Sequence, residues 1–382
     1  MKFLVLFTFL ATSFALVNKN ALEIHYFNVG NADSQLIVFP SGYNILIDCG
    51  DYDTKTAKNT KHIAKRIESI LGHKKIDVFV LTHYHPDHSG EIRSNGIWYL
   101  IEKLGFTVKK FLKRQAGTYN GNKLSDCNKD TVSWKYGGDM SRAMAKVVCY
   151  SVSAKDQSKL SRVAENAHRC NKNQIVPPDA GAKVIVLMRD ALGVKSNASG
   201  NPVARNSIFS GSKISENDLS ICLRIQYGKF VYSSCGDLSG YDMDGGDKNF
   251  HDIESSIAPM MGEVDLYKAN HHGSSTSSNV KWCNTLKPTV TVIMCGESTG
   301  EPSKRPLRDL KSVGSKIYTT GKDCNQENIN AVGGVTEMGE DIVVTVPTNG
   351  KTFTLAGISG KNKKTFNIKM DKKEPSPCKL LD

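Results

Sequence analysis

Hydrophobic and polar positions along the chain follow two periods, and each predicts a different element. Residues 22–29 and 35–39 alternate or run apolar, and Tyr43–Ile47 does the same up to Asp48-Cys49-Gly50. These segments predict three strands, with Ser41-Gly42 turning a hairpin between the last two. Ile63, Ile67, Ile70 and Leu71 then recur at helical spacing, and Asp53 or Thr54 stands where a capping side chain belongs. Ile76–Leu81 is a short, almost continuous apolar run, as expected of a strand buried on both faces. A helix is predicted over 97–104, with Gly105 as its stop.

From about Gly117 to Ser215 both periods fade into a stretch rich in Asn, Lys, Ser and Gly. A helix around Lys159–His168 and a strand at Lys183–Met188 are its only clear signals, so 117–215 reads as an elaborated insertion in one domain spanning 20–357. Order resumes with Leu219, Ile221, Leu223 and Ile225 in alternation, then a Gly228-Lys229 turn into Phe230-Val231-Tyr232. Further strands are predicted at Val264–Ala269, Thr289–Met294, Lys316–Thr319, Asp341–Val346 and Thr352–Ala356, with a helix over Pro306–Val313. Residues 358–382 form a basic tail expected to be loosely held. No internal repeat recurs at a fixed period. The order of elements suits two sheets flanked by helices.

Composition narrows this picture. The chain has 382 residues, 39% of them hydrophobic, which is ample for one large domain and too apolar for global disorder. Residues 1–15 place Lys2 ahead of an apolar run and small residues at Ser13 and Ala15, the order of a signal peptide cleaved near Ala15. The run falls short of the roughly 20 residues a membrane span needs. No later segment is a candidate span, so secretion, or delivery to a secretory or vesicular lumen, is expected. Ten cysteines fit several disulfides in such a compartment. No pair has C-x-x-C spacing, which argues against a zinc knuckle. Cys222 and Cys295 sit in apolar strands, where a small buried hydrophobe is the alternative reading. The formal net charge of +12 favours anionic partners such as nucleic acid or phospholipid headgroups, with plain solubility as the other explanation. Asn197-Ala198-Ser199 is an N-glycosylation sequon.

The candidate chemistry begins where the buried strand 76–81 ends. His83, His85, Asp87 and His88 put three imidazoles and a carboxylate within six residues, a donor set suited to borderline-soft divalent metals. Alternate side chains of an extended segment share a side, so His83 and His85 can grip one ion. The turn at Pro86 then frees Asp87 and His88 for a second.

His83-x-His85-x-Asp87-His88 resembles the signature of the metallo-β-lactamase superfamily. Other segments are similar to the hydrolase domain of ComEC, the bacterial DNA-uptake channel protein. They are Phe27-Asn28-Val29-Gly30-Asn31-Ala32-Asp33, Leu46-Ile47-Asp48-Cys49-Gly50, Asn217-Asp218-Leu219-Ser220, Cys235-Gly236-Asp237, and Ala269-Asn270-His271-His272-Gly273-Ser274. Their order agrees over about residues 22–350.

The resemblance implies an α+β fold, the αββα four-layer sandwich of that superfamily, and two divalent ions, Zn2+ first and Mn2+ next. It implies that Asp237 bridges both ions and that His271 or His272 completes the second site. Asp33 and Asp48 are then supports for the ligating histidines, or structural residues. Asp87, Asp237 and His272 are the residues expected to act in catalysis. Two departures stand out. Between the histidine loop and Asp237 the only histidine is His168, in the irregular segment, and the ComEC branch often lacks a ligand there. Where the family tends to carry a histidine before a proline, this chain has Gly300-Glu301-Pro302. Asn217 and Ser220 are candidates for contact with substrate or water. His25, His62, His73 and His251 read as ordinary surface or core residues.

Two divalent ions lower the pKa of a shared water toward neutrality, and the hydroxide attacks an electrophilic centre. The expectation is a secreted phosphodiesterase acting on DNA or RNA, supported by the ComEC resemblance, the positive charge and clusters such as Lys109-Lys110 and Lys361-Asn362-Lys363-Lys364. Secreted phosphorylcholine esterases are also similar, which makes a small phosphoester the first alternative. A non-catalytic metal-binding protein of the same fold is the second.

Overall fold

The computed structural model describes residues 17–119, 121, 124–135, 141–152, 164–194, 214–244, 249–296 and 300–378. The expected signal peptide, the sequon at Asn197 and the first half of the helix expected around Lys159–His168 lie outside these residues. Where that last segment is described, Glu165–Asn166 is a short strand.

Two large sheets organise the molecule. The first has nine strands in the order Lys364–Asn367, Thr352–Gly357, Ile342–Pro347, Ala21–Tyr26, Gln35–Val38, Asn44–Ile47, Lys75–Leu81, Thr107–Lys113 and Glu165–Asn166. Its pairings are antiparallel as far as Asn44–Ile47 and parallel from there on. The second has seven strands in the order Val335–Glu337, Lys316–Thr319, Val290–Ile293, Leu266–Lys268, Phe230–Ser234, Cys222–Tyr227 and Ala182–Met188. Its last three strands are antiparallel and the rest pair in parallel. This is a mixed α/β architecture, compatible with the α+β class.

The period of two explains how the sheets bury their faces. Leu223, Ile225 and Tyr227, then Phe230 and Tyr232, join one core with Leu22, Ile24 and Tyr26 of the first sheet. Tyr26 meets Tyr232 edge-on, with ring centroids 6.1 Å apart. Residues of the opposite parity, such as Cys222, Val231 and Tyr267, enter a second core with Ile257, Trp282, Leu307 and Ile329 from the helices Glu254–Met261, Val280–Leu286, Lys304–Ser312 and Gln326–Val332. The helix Lys58–Leu71 buries Ile63, Ala64, Ile67 and Leu71 in the first core, as its periodicity predicts.

Several local expectations are corrected. Ala57 precedes Lys58–Leu71 with no capping side chain of its own, and the helix start is met by two aspartates before it: Asp53 accepts from the Lys58 N–H at 3.3 Å and Asp51 from the Thr60 N–H at 2.8 Å. The segment expected as a helix over 97–104 is one α turn, Gly96–Trp98, widened into a π-helix over Tyr99–Lys103. Leu219 lies in a 3-10 turn, Asn217–Leu219, and the strand begins at Cys222. The strand Ala182–Met188 is an edge of the second sheet, paired along Cys222–Tyr227. The basic tail is held, because Lys364–Asn367 adds a strand to the first sheet and Cys378 is bonded to Cys170. Cys222 and Cys295 are not simple core residues but partners of Cys235 and Cys324, and a fourth disulfide joins Cys127 to Cys149. Cys49 and Cys283 are free and buried. Among the described residues no helix is long and apolar enough to cross a membrane.

Candidate metal centre

The sequence-predicted residues converge where parallel strands end. Asn44–Ile47 delivers Asp48, Lys75–Leu81 delivers the histidine loop, Phe230–Ser234 delivers Asp237, and Leu266–Lys268 delivers His271 and His272. Carboxyl ends of parallel strands are a recurrent place for ligands, because the chain must leave the sheet there and its loops converge.

Two glycines make the convergence possible. A Cβ on Gly50 would stand 1.6 Å from the backbone oxygen of Asp87, so the two loops touch only because that atom is missing. Gly273 (φ 76°) closes a turn in which His271 (φ 47°) and His272 (φ 51°) are also left-handed. Non-glycine residues rarely hold that conformation, which costs on the order of 1–3 kcal/mol each and clusters at functional sites.

The donor atoms fall into two adjoining groups that share one carboxylate. Asp87, His88, Asp237 and His272 form the first, and His83, His85 and Asp237 the second; within each group the ligand atoms lie within 4.8 Å of one another. His272 Nε2 is 3.2 Å from Asp87 Oδ2, His88 Nε2 is 3.0 Å from Asp237 Oδ1, and His83 Nε2 is 3.1 Å from His85 Nδ1. Asp33, Asp48 and His88 make a third cluster behind the first.

Hydrogen bonds fix which ring nitrogens face inward. His88 Nδ1 lies 2.8 Å from Asp48 Oδ2, and Asp48 also accepts from the Thr82 backbone N–H at 2.8 Å. His272 Nδ1 lies 2.8 Å from the Met294 carbonyl, which can only accept. Both rings therefore carry the proton on Nδ1 and aim Nε2 at the carboxylates, the arrangement that orients a metal-binding imidazole. His271 is held differently. Its Nδ1 is 2.6 Å from Thr276 Oγ1 and its Nε2 is 3.0 Å from Asn217 Nδ2, an amide that donates. His272 thus joins the donor group, while His271 lines the cavity in front of it, 3.8 Å from Asp237 Oδ2. His168 is in neither group. Ser220 Oγ accepts from the Asp237 backbone N–H at 3.3 Å.

Charge gives an independent test of whether a cation belongs here. Asp33, Asp48, Asp87 and Asp237 are all buried, and the only buried ammonium among them is Lys268, paired to Asp33 and 3.1 Å from the Gly236 carbonyl. His88 Nε2 and Asp237 Oδ1 are buried 3.0 Å apart, and neither makes a well-formed hydrogen bond. Buried polar atoms in that state call for an explanation, and a set of inward lone pairs beside excess negative charge fits divalent cations. Without a cation, protons take that place. Burial opposes the charged form of His88, but Asp237, Asp87 and Asp48 outweigh it and raise its pKa well above the ordinary value. Burial likewise opposes a charged His272, yet Asp237 and Asp33 lift it to about 9. Asp87 is held at about 2 against burial by His88 and His272. His83, buried and next to His88, is pushed well down.

Sequence reasoning missed Lys268, whose signal was a lysine inside an otherwise buried strand, Leu266–Lys268. It also missed Tyr52 and Phe250, which with Glu301 and Asn217 line an open cavity of about 420 Å3 over Asp87 and Asp237. That cavity is within the range of small-ligand sites.

No known protein family and no curated protein matches the chain. Among solved structures, a protein from Parabacteroides distasonis that carries a provisional description as a metal-dependent hydrolase aligns over 83% of this chain and 93% of its own, with 8% identity and a TM-score of 0.35. A protein of unknown function from Enterococcus faecalis aligns over 82% of this chain and 63% of its own, with 10% identity and a TM-score of 0.33. At these scores neither likeness carries a fold or an activity across, and the reading rests on the site.

Proposed function

We propose that the protein is a secreted metal-dependent hydrolase of the metallo-β-lactamase kind, most nearly a phosphodiesterase, holding two divalent ions, Zn2+ or Mn2+, on donor groups that share Asp237. The observation that carries this reading is the carboxylate of Asp237 shared by both donor groups, with His88 Nε2 and Asp237 Oδ1 buried 3.0 Å apart and neither in a well-formed hydrogen bond. In this reading the two sheets and their helices form the αββα layers, and the four disulfides suit an oxidising compartment.

Paired divalent ions supply Lewis acidity and an activated water nucleophile. The chain's own part is to hold and shape. Asp87, His88 and His272 would hold one ion, His83 and His85 the other, with Asp237 between them. Asp48 and the Met294 carbonyl keep the imidazole protons on Nδ1, away from the metal-facing edge. Asn217 and His271 stand at the mouth: the Asn217 amide donates to His271 Nε2 and keeps a second N–H for an anionic oxygen, while His271 Nδ1 is engaged by Thr276.

The net charge of +12 and the exposed ring of Tyr52, a surface on which a base could stack, support nucleic acid as substrate. One observation favours a small phosphoester instead. No Lys or Arg lines the cavity among the described residues, and Glu301 does. Purified protein supplied with Zn2+ or Mn2+ should cleave single-stranded DNA or RNA and stop when chelator is added. Survival of nucleic acid alongside cleavage of a chromogenic phosphodiester selects the second reading. Bound metal with no turnover of any phosphodiester would refute both.

A further inference from the structure

A second cavity, of about 410 Å3, shares no lining residue with the one over the metal centre. It lies between the edge strand Ala182–Met188, the helix Glu254–Met261 and the C-terminal strap around Pro375. The strap is fixed in place. The Ser376 backbone N–H donates to the Pro259 carbonyl at 2.8 Å, Lys372 pairs with Asp265 at 2.7 Å, and Cys378 is bonded to Cys170.

Arg224 stands in the wall and is only 8% exposed. Its Nε donates to the Met261 carbonyl at the end of the helix, at 3.0 Å, and its Nη1 donates to Gln226 Oε1 at 2.9 Å. Its Nη2 has no partner, and no carboxylate pairs with the guanidinium, among the described residues. Burial lowers its pKa, and the carboxylate of Glu374 offsets that only from a distance. A buried guanidinium without an anion is costly, and Arg is the side chain best shaped to take a carboxylate. The other walls are apolar: Ile175, Leu187, Met260 and Pro375 line the space, and Val176 at its margin is 58% exposed. Lys172 and Lys183 add positive charge to the lining.

We propose that this cavity binds an aliphatic carboxylate of the fatty-acid type, with its head on Arg224 and its chain along Ile175, Leu187, Met260 and Pro375. The site is independent of the metal centre and of the hydrolase reading. Glu374 is the one acidic group in the lining, so it competes with the ligand head for Arg224.

Decanoate titrated calorimetrically into the full-length protein should bind saturably, and decanol, which lacks the charge, should bind at least about tenfold more weakly. Arg224→Gln should lose about tenfold or more in decanoate affinity. Glu374→Gln, at an exposed position, should tighten binding about twofold, since it removes a screened repulsion. Equal affinity for decanol and decanoate, or no saturable heat with decanoate, overturns the proposal. So does wild-type affinity in a folded Arg224→Gln protein. Should that variant fail to fold, Glu374→Gln decides the matter, and an unchanged or weakened affinity there counts against the site.

Discussion

His88 shows how much one side chain depends on its neighbours. Its ring is fully buried, its Nδ1 is 2.8 Å from Asp48, and its Nε2 faces Asp237. Asp48 touches no other member of the donor groups, so its effect on a metal must pass through His88 and Thr82. Replacing Asp48 by Asn exchanges an acceptor that fixes the tautomer for an amide that can flip. Support residues of this type are worth about 10–100-fold in metal affinity. Asp48→Asn should therefore weaken Zn2+ binding by that factor in a chelator-competition titration while every ligand remains. Wild-type affinity would reduce Asp48 to a structural residue. The ligands themselves were legible in the sequence because their spacing is local. His83, His85, Asp87 and His88 lie on one loop, and the choice among residues there needs only a strand and a turn. The choice between His271 and His272 was not legible. It is made by the Met294 carbonyl and by the Asn217 amide, 22 and 54 positions away in the chain, and no local pattern records either contact.

The same division holds for elements. Strands that face a core on alternate positions, such as Ala21–Tyr26 and Cys222–Tyr227, wrote their period into the sequence. The strand Lys364–Asn367 did not, because it is an edge strand with exposed lysine and threonine, and an edge needs polar side chains more than it needs a pattern. The pairing of Ala182–Met188 with Cys222–Tyr227 was hidden because the residues between them interrupt the hairpin signal. Loops were read as motifs, but the structure supplies the reason for them. Leu46-Ile47-Asp48-Cys49-Gly50 ends in glycine because the Asp87 carbonyl occupies the place of a side chain. The Gly50 backbone N–H also donates to the Asp33 carbonyl at 3.0 Å, and the Asp33 N–H donates to that same Asp87 oxygen at 2.8 Å. Three loops are thereby joined at one point. A methyl there must drive the Asp87 loop outward, and backbone cannot yield as a flexible side chain would. Gly50→Ala is expected to destabilise the fold by about 1–3 kcal/mol in chemical denaturation and to lose the first metal group more than the second. Equal retention of both ions would show that the Asp87 loop tolerates the shift.

At the scale of the whole molecule, the two sheets and their cores hold four carboxylates, one ammonium and a cluster of imidazoles in a buried place that only positive charge can stabilise. Protons and metal ions compete for it, and the direction of that competition can be worked out. In the metal-free protein His272 is raised to about 9 from an ordinary value of 6.5, and His88 is raised as well. A histidine whose pKa rises on folding stabilises the folded state below its unfolded value, and that contribution is lost as pH climbs through the folded one. The metal-free protein should thus lose stability between about pH 6.5 and 9. Metal binding needs the same imidazoles neutral, so it releases protons and strengthens over the same window. A free ion at a hundred times its Kd stabilises by about 2.7 kcal/mol for each site. Thermal unfolding with chelator and with Zn2+ should give transitions that separate as pH is raised from about 6 to about 9. The chelated protein should melt lower at the alkaline end and the loaded protein should hold its transition. Curves that superimpose at both ends of the range would mean that the buried carboxylates are satisfied by the protein alone, and the cluster would then be a feature of folding with no metal to hold. A separation that narrows with rising pH would place the protonated, not the neutral, imidazoles in the bound state and would reverse the ligand assignment of His88 and His272.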